Sequence, residues 1–438
     1  MPVFKELRSQ INNARKTDFF RNVITLLTGT ALGQVIALLL SPLLTRLFSL
    51  QDFTTLEQYM FILSLLMVIV AGRYEFAVMQ PESREDARHV VGLCIRIVFY
   101  VSAFFLILFL ITGDAIAEYY HNRDLASCLW TIPIALFAAG VFNVINYWFS
   151  RLGNYKIAAT SKFLYSAAGE PIKVTMGAVS SNSGGLITGT IIAHWVSACY
   201  AWTRFKQSEP KTIFHLSKQR MKELASTYKD YPVYTIWGSL LNNMAQWAHV
   251  VVFGYFYGEK ALIPIAFIAL SRRIFFNPLG TLATSYGQVF YQRITAIKDP
   301  VELRSFFIKN LLRFLVFASF MVLIIQLLPD ATLGFIFGEQ WTEALVYLRI
   351  LSYWYALNFV LSSLSFIFNR LQLQWYTMVS DMVHFIVVVG GFAWSFHSGQ
   401  SEFEAIQTMV IVKVIYLIFN GAAVIYFLSR YTRVRPQF

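Results

Sequence analysis

Charged residues and cysteines are both scarce in this chain of 438 residues. Only 14% of the residues are charged, whereas 57% are hydrophobic and 17% are aromatic. Soluble globular domains carry about 25% charged residues, so this composition excludes a soluble protein. Cys94, Cys128 and Cys199 lie on separate apolar segments without CxxC or Cys/His spacing. Neither a disulfide framework nor a metal site is therefore expected.

The apolar residues are concentrated in long segments along the chain. Twelve such segments approach the length of about 20 residues that a helix needs to cross a bilayer. They lie near 23–44, 59–79, 90–112, 129–149, 163–179, 186–202, 232–257, 261–283, 307–328, 345–368, 376–396 and 406–428. We therefore expect an all-α membrane protein with about 12 transmembrane helices.

Basic residues fall mainly on one side of this predicted topology. The chain has 36 Lys and Arg against 24 Asp and Glu, a net charge of +12. With the N-terminus inside, 25 basic residues fall in inside segments, and outside segments hold only Arg46, Arg123 and Lys260. Cytoplasmic loops carry such an excess, so both termini are predicted to be cytoplasmic. Topology explains the net charge better than nucleic-acid binding does.

The predicted spans divide into two lobes. Residues 22–203 and 230–428 hold six spans each, and a basic cytoplasmic linker at 204–229 separates them. Residues 1–21 read as a basic amphipathic cytoplasmic segment, and 429–438 as a basic cytoplasmic tail.

An internal repeat relates the two lobes. The sequence FSRL at 149–152 ends span four, and FNRL at 368–371 ends span ten. Because each lobe has an even number of spans, the two six-helix pseudo-repeats should be parallel and enclose a central cavity. Rocking of the two lobes would expose that cavity to each side in turn, as in a transporter.

Arg272 and Arg273 lie near the middle of span eight. A cation at that depth costs about 2.5–3.5 kcal/mol on insertion scales. Few acids lie at a matching depth along the sequence, so we expect the pair to line a wet cavity that an anion occupies. The alternative is a salt bridge to an acid on another helix. The central cavity is thus predicted to be cationic.

Three stretches resemble one family of transporters. They are LLTGTALGQVIALLLSPLLTRLFS in span one, GRYEFAVMQP after span two and SYGQVFYQR in span eight. The chain resembles the Wzx-type polysaccharide or O-antigen flippases, the polysaccharide transporters of the multidrug/oligosaccharidyl-lipid/polysaccharide (MOP) superfamily. The resemblance implies a bacterial inner-membrane protein that moves undecaprenyl-diphosphate-linked oligosaccharide from the cytoplasmic to the periplasmic leaflet. The glycan would belong to O-antigen, capsule or exopolysaccharide.

The resemblance also implies a set of diphosphate-binding residues, because members that flip lipid-linked sugars have cavity arginines on spans one, two and eight. Arginine suits a diphosphate, since its planar fork bonds phosphate oxygens in pairs and stays charged. The candidates here are Arg46, Arg73, Arg272 and Arg273. Lys173 in span five is a further candidate, although Glu170, three residues earlier, offers it a partner within the helix.

Coupling to a Na⁺ or H⁺ gradient is a second implication, and no other cofactor is expected. Some superfamily members bind sodium through polar residues of the second lobe, and the analogues here are Asn242, Asn243, Thr377 and Asp381. Glu170 and Asp381 are the acids best placed for proton coupling. Lys413 in span twelve lies about 15 Å from the level of Asp381, so an ion pair between them is not expected.

Two other classes of function remain open. A drug or cation antiporter of the same fold would favour acids in the cavity, whereas this chain offers mostly cations. A membrane enzyme that polymerises or ligates glycans would need a large external loop, but the longest outside stretch is only 113–127. A transporter rather than an enzyme is therefore predicted. Its expected partners are the lipid-linked oligosaccharide, membrane lipids and loosely associated glycan polymerase or assembly enzymes, with the protein itself a monomer.

Overall fold

The computed structural model describes residues 31–209, 217–371 and 373–434. Almost all of these residues are helical, and no β-strand occurs among them. The all-α prediction is confirmed. The predicted amphipathic segment at 1–21 and residues 435–438 of the predicted tail lie outside the described residues.

The first lobe is a bundle of long helices that includes one short helix, Arg123–Leu129. Its helices are α1 (Ala31–Leu47), α2 (Leu50–Ile69), α3 (Arg84–Tyr119), α4 (Arg123–Leu129), α5 (Ile132–Arg151), α6 (Tyr155–Val179) and α7 (Ser183–Ser208). A 3₁₀ turn at Phe76–Met79 follows α2. The short helix α8 (Lys218–Thr227) then connects to the second lobe.

The second lobe has a similar bundle, but several of its helices are interrupted. It contains α9 (Ile236–Gln246), α10 (Ala248–Tyr257), α11 (Leu262–Ser271), α12 (Asn277–Ala296), α13 (Pro300–Leu327), α14 (Thr332–Phe337), α15 (Ala344–Leu364), α16 (Phe366–Arg370), α17 (Gln374–His397) and α18 (Glu402–Val434). Single π-helical turns occur at Tyr231–Thr235 and at Arg272–Phe276. Turns of 3₁₀ helix occur at Gly258–Ala261 and Glu339–Trp341.

Eight described segments are long and apolar enough to cross a membrane. They are Leu50–Ile69, Arg84–Tyr119, Ile132–Arg151, Ala248–Gly287, Pro300–Leu327, Ala344–Arg370, Trp375–His397 and Glu402–Thr432. Each of the twelve predicted spans overlaps a helix, and those outside this set include α6 and α7, which have the length but are more polar. The chain is a multi-pass membrane protein.

Helix α2 begins well before the predicted start of span two. Ser49 is the N-cap, and its hydroxyl and backbone N–H both donate to Asp52, at 2.7 and 2.9 Å. The Asp52 N–H in turn contacts the Ser49 hydroxyl at 3.2 Å, which completes a capping box. The predicted span two, at 59–79, was therefore placed too far along the chain. The helix in the structure includes Glu57, which is buried inside the bundle.

The FSRL and FNRL motifs hold equivalent places in the two lobes. Arg151 ends α5, and its guanidinium donates to the Met79 carbonyl at 3.1 Å, just beyond α2. Arg370 ends α16, and its guanidinium donates to the Ile294 and Ile297 carbonyls at 3.2 and 3.3 Å, at the end of α12. Arg370 thus caps α12, whereas Arg151 caps the 3₁₀ turn that follows α2, so each arginine holds the chain at or after the second membrane helix of its own lobe. The predicted repeat is confirmed.

Helix α8 marks one end of the bundle, which we name the linker end. Arg220 of α8 donates to both carboxylate oxygens of Asp86 at the start of α3, at 2.8 and 2.9 Å. These hydrogen bonds raise the pKa of Arg220, so it stays charged. The opposite end, which carries α14 and the 3₁₀ turn Glu339–Trp341, is the distal end.

Candidate functional site

A cavity of about 840 Å³ lies between the two lobes. Residues of the linker end, including Arg73, Thr235 and Trp375, line its mouth, and Arg272 lines its inner part. Helices α2, α9 and α17 supply most of the wall, together with the π-helical turn that contains Arg272. The predicted central cavity is present, and in this structure it reaches the linker end.

Contacts between the lobes close the distal end. The indole N–H of Trp341 and the side-chain amide of Gln340 donate to the Thr45 carbonyl, at 3.0 and 2.8 Å. Arg46 donates to the Phe335 carbonyl at 2.9 Å. Trp341 is fully buried, so this set of contacts, which we name the distal seal, excludes water from that side of the cavity.

Arg272 lies at the inner end of the cavity and is only 7% exposed. Its Nε donates to Glu57 of α2 at 2.9 Å, and Glu57 also lies 3.3 Å from His249 Nε2. The guanidinium carbon is 4.0 Å from the centroid of Trp247 and 5.0 Å from that of Phe276. These distances allow cation–π attraction on both rings. Nη1 is buried and has no hydrogen-bond partner among the described residues.

Arg273 points towards a different part of the first lobe. Its Nε donates to the Ser41 hydroxyl at 2.6 Å, and Nη2 donates to the Ala37 carbonyl at 3.3 Å and to Glu170. Glu170 also accepts from Lys173 at 3.0 Å. A smaller cavity of about 240 Å³ is lined by both arginines and by their partners Glu57 and Glu170. Arg273 therefore links the second lobe to α1 and α6.

The expectation that the arginine pair lacks acids at its own depth was wrong. Glu57 and Glu170 each form an ion pair with one of the two arginines. Glu57 was missed because span two was placed nine residues too far along the chain, which left this acid outside the membrane. Glu170 was assigned only to Lys173, although one carboxylate can accept from both cations.

The two adjacent arginines begin a π-helical turn, Arg272–Phe276. A single π turn inside a longer helix widens it locally and is frequent at functional sites. Here α11 ends at Ser271 and α12 begins at Asn277, so the turn sits in the middle of span eight. It allows Arg272 to reach α2 while Arg273 reaches α1 and α6.

Cations outnumber acids around these cavities. Lys413 of α18 is fully buried, and its Nζ lies 3.5 Å from the centroid of Trp354. That nitrogen has no hydrogen-bond partner among the described residues. Phe276, which contacts Arg272, is 5.7 Å from Trp354, so aromatic rings connect the two cations. The linings of the two cavities hold four cations and three acids, a formal charge of +1, and the nearby Lys413 adds one more positive charge; the lining residues are Arg73, Arg272, Arg273 and Lys173 against Glu57, Glu170 and Asp381.

Of the other predicted diphosphate ligands, Arg46 lies apart from Arg272, whereas Arg73 and Lys173 each line a cavity that Arg272 also lines. Arg46 is exposed at the distal end, where it belongs to the distal seal. Arg73 lies at the mouth of the cavity in a left-handed backbone conformation with φ of 60°, and its guanidinium is 3.8 Å from Glu75. Lys173 lines the smaller cavity beside Glu170.

The predicted coupling residues do come together. Asn242, Asn243, Thr377 and Asp381 all line the 840 Å³ cavity. The Asn242 amide donates to Asp381 at 2.8 Å, and Ser64 of the first lobe donates to Asn243 at 3.2 Å. Asp381 and Lys413 have different partners, as their depths predicted.

Glu57 is a site residue that the sequence reasoning missed, and His249, Trp247 and Trp354 could not be assigned to the site individually from the sequence. One signal could have found Glu57, because Ser49-x-x-Asp52 before an apolar run is a helix-start motif. That motif places Glu57 two turns inside α2. No local signal marks the aromatic residues, since they share the chain with 40 Phe, 23 Tyr and 10 Trp in total.

Solved transporters share this fold. An inward-facing multidrug resistance MATE family transporter of the MOP superfamily superposes with a TM-score of 0.66 at 12% identity, over 93% of this chain and 99% of that chain. An outward-facing one superposes with a TM-score of 0.57 at 13% identity, over 95% and 97%. A MOP superfamily transporter from Pyrococcus furiosus, described by the reverse polarity of its binding pocket, gives 0.54 at 12% identity, over 93% and 95%.

Sequence comparison assigns the family. No protein with a curated function matches the chain. The family model described as polysaccharide biosynthesis protein matches residues 43–346, which is more than half of the sequence. Together with the MOP fold, this match confirms the resemblance found in spans one, two and eight. The chain belongs to the polysaccharide biosynthesis protein family.

Proposed function

We propose that this protein is a flippase for undecaprenyl-diphosphate-linked oligosaccharide in the bacterial inner membrane. It moves this lipid from the cytoplasmic to the periplasmic leaflet by alternating access, with the linker end in the cytoplasm. The family supports a role in polysaccharide biosynthesis, and the fold supports transport. Basic residues along α8 agree with a cytoplasmic linker end.

The observation that carries the proposal is the unpaired Nη1 of Arg272. This donor is buried at the inner end of the cavity, while the Nε of the same side chain is held by Glu57. A buried donor without a partner is costly, and a phosphate oxygen would relieve that cost through a charge-assisted hydrogen bond. Arg272 can therefore bind a diphosphate without breaking its existing ion pair.

The charge of the site favours an anionic cargo over a cationic drug. The cavity linings carry a formal charge of +1, and Lys413 beside the aromatic rings raises it to +2, a balance that suits a diphosphate. The Pyrococcus furiosus relative is described by a reversed pocket polarity, which shows that the same fold hosts pockets of different charge. A cation antiporter would need the opposite balance.

Arg272 and Arg273 have different roles in this proposal. Arg272 binds the diphosphate, whereas Arg273 has bonds to Ser41, Ala37 and Glu170 that join the lobes. Opening of the distal seal and closure of the linker end would carry the bound head group across. The undecaprenyl tail would stay in the surrounding lipid.

Transport in liposomes tests the proposal. Purified protein is reconstituted with fluorescent undecaprenyl-diphosphate-linked oligosaccharide, and the fraction of label open to a membrane-impermeant quencher is followed over time. We expect the labelled lipid to equilibrate between the two leaflets only when the protein is present, so that the fraction protected from the quencher changes only then. Uptake of an organic cation without flipping would instead identify an antiporter, and elongation of the glycan chain would identify a polymerase.

We further propose that transport is coupled to a gradient of Na⁺ or H⁺. Asn242, Asn243, Thr377 and Asp381 offer oxygen atoms to Na⁺, and Glu170 and Asp381 are carboxylates that can take up a proton. Flipping in liposomes with an imposed Na⁺ or H⁺ gradient distinguishes these two ions. A rate that responds to neither gradient would contradict coupling through these residues.

A further inference from the structure

A second polar cavity, of about 440 Å³, lies inside the second lobe between α9, α15, α17 and α18. Its volume is typical of small-molecule sites. Amides and hydroxyls dominate the polar part of its lining, which includes Asn242, Gln246, Asn358, Ser362, Thr377 and Ser380. Among the described residues that line it, Asp381 is the one carboxylate, and none is lysine, while Asn369 and Asn420 add further amides. We name it the amide cavity.

The amide cavity borders the larger cavity that Arg272 lines. Asn242, Gln246, Thr377 and Asp381 line both this cavity and the larger one between the lobes. At its inner end, Trp354 lies 5.7 Å from Phe276, the ring beneath Arg272. A group attached to a diphosphate at Arg272 can therefore extend into the amide cavity.

Polar atoms in the wall of the amide cavity lack partners. His384 is only 3% exposed, and its Nε2 makes no hydrogen bond with the described residues. Gln246 Oε1 is buried and equally without a partner in the described part of the chain. Asn358, also in the lining, is half-buried, so the buried atoms without a described partner here are those of His384 and Gln246. Buried polar atoms normally have partners, so these donors and acceptors point to a polar ligand.

We propose that the amide cavity binds the sugar residues next to the diphosphate, and so contributes to the choice of glycan. This inference rests on the proposed flippase function. Sugar hydroxyls both donate and accept hydrogen bonds, and the side-chain amides of Gln246 and Asn358 each offer a donor and an acceptor. Trp354 and Tyr416 contribute aromatic surface to the apolar part of the wall. A diphosphate would find no arginine or lysine among the described lining residues, so it stays at Arg272.

The affinities of the protein for two lipids, one with and one without the glycan, distinguish the sugar site from the diphosphate site. The Kd of undecaprenyl diphosphate and that of undecaprenyl-diphosphate-linked oligosaccharide are measured for the full chain in nanodiscs. We expect the wild type to bind the glycan-bearing lipid more tightly. Asn358→Leu keeps the side-chain size and removes no internal hydrogen bond, so the protein should fold. It should weaken binding of the glycan-bearing lipid about 3- to 10-fold and leave undecaprenyl diphosphate unchanged.

Two further variants make the outcomes distinct. Gln407→Leu is the matched control, since Gln407 lines an apolar groove on the other side of α18 and should change neither Kd. Arg272→Ala should weaken both lipids. Equal losses for both lipids in Asn358→Leu, or no loss for either, would overturn the sugar site alone. A wild type that binds neither lipid would overturn the proposed function and the sugar site together.

Discussion

Glu57→Gln removes the charge that faces Arg272 while it keeps the shape of the side chain. Arg272 is 7% exposed, and its Nε lies 2.9 Å from the Glu57 carboxylate. Removal of one partner from a buried ion pair costs about 3–5 kcal/mol, because the other charge stays buried without compensation. The glutamine carbonyl still accepts from Arg272, so we expect a loss of about 3 kcal/mol and a lower Tm.

An anion at Arg272 should restore part of that loss. If the diphosphate recovers about half of it, about 1.5 kcal/mol, then Glu57→Gln binds the diphosphate roughly tenfold more tightly than the wild type. The assay measures the Kd of inorganic pyrophosphate and of undecaprenyl diphosphate in nanodiscs, together with the Tm at several ligand concentrations. The ligand-induced rise in Tm should be larger for the variant than for the wild type.

An exposed acid provides the control for this prediction. Asp330 pairs with Arg349 at 2.7 Å, but its side chain is 86% exposed, so Asp330→Asn should change neither Tm nor Kd noticeably. Arg272→Ala combined with Glu57→Gln should abolish the gain in affinity. Unchanged or weaker diphosphate binding in Glu57→Gln alone would refute the claim that Arg272 contacts the cargo.

Three further predictions concern the seal, the repeat and the buried lysine. Arg46→Ala removes the bond to the Phe335 carbonyl, so cysteine labels at the distal end should react a few times faster. Arg151→Ala and Arg370→Ala each remove a carbonyl cap, and both should lower the free energy of unfolding by about 1–3 kcal/mol. Lys413→Met replaces a buried, unpaired cation by an apolar chain, so Tm should rise while diphosphate binding weakens.

A specific result would contradict each of these three predictions. Slower labelling in Arg46→Ala would mean that the bond does not hold the distal seal. A large loss of stability for only one of Arg151→Ala and Arg370→Ala would contradict their equivalence. A fall in Tm for Lys413→Met would show that Lys413 is stabilised where it lies.

Much of the fold follows from the sequence, because membrane helices need long apolar segments. The twelve predicted spans all overlap helices, and FSRL and FNRL located the arginines that cap the 3₁₀ turn after α2 and the end of α12. Apolar length, however, does not determine where a helix begins. Span two was misplaced because its first turns contain Asp52 and Glu57, which lower the local hydropathy although the capping box starts the helix at Leu50.

The site was harder to predict, since its geometry depends on contacts between distant helices. Arg272 and Arg273 could be identified as cavity residues from their depth alone. Their different partners, Glu57 and Glu170, depend on a π-helical turn that has no sequence signature. The same holds for Lys413, whose contact with Trp354 depends on how α18 packs against α15. Such pairings come from tertiary packing rather than from local pattern.

The most direct test of the flippase proposal compares the flipping rates of Arg272→Ala and Arg349→Ala in proteoliposomes with fluorescent undecaprenyl-diphosphate-linked oligosaccharide. Both changes remove one arginine, but Arg349 lies outside the cavities, where it pairs with Asp330. We predict that the wild type and Arg349→Ala flip the lipid at similar rates, whereas Arg272→Ala loses most of its activity at equal protein abundance. Equal flipping by all three proteins would contradict the role of Arg272, and no flipping by the wild type would contradict the proposed function.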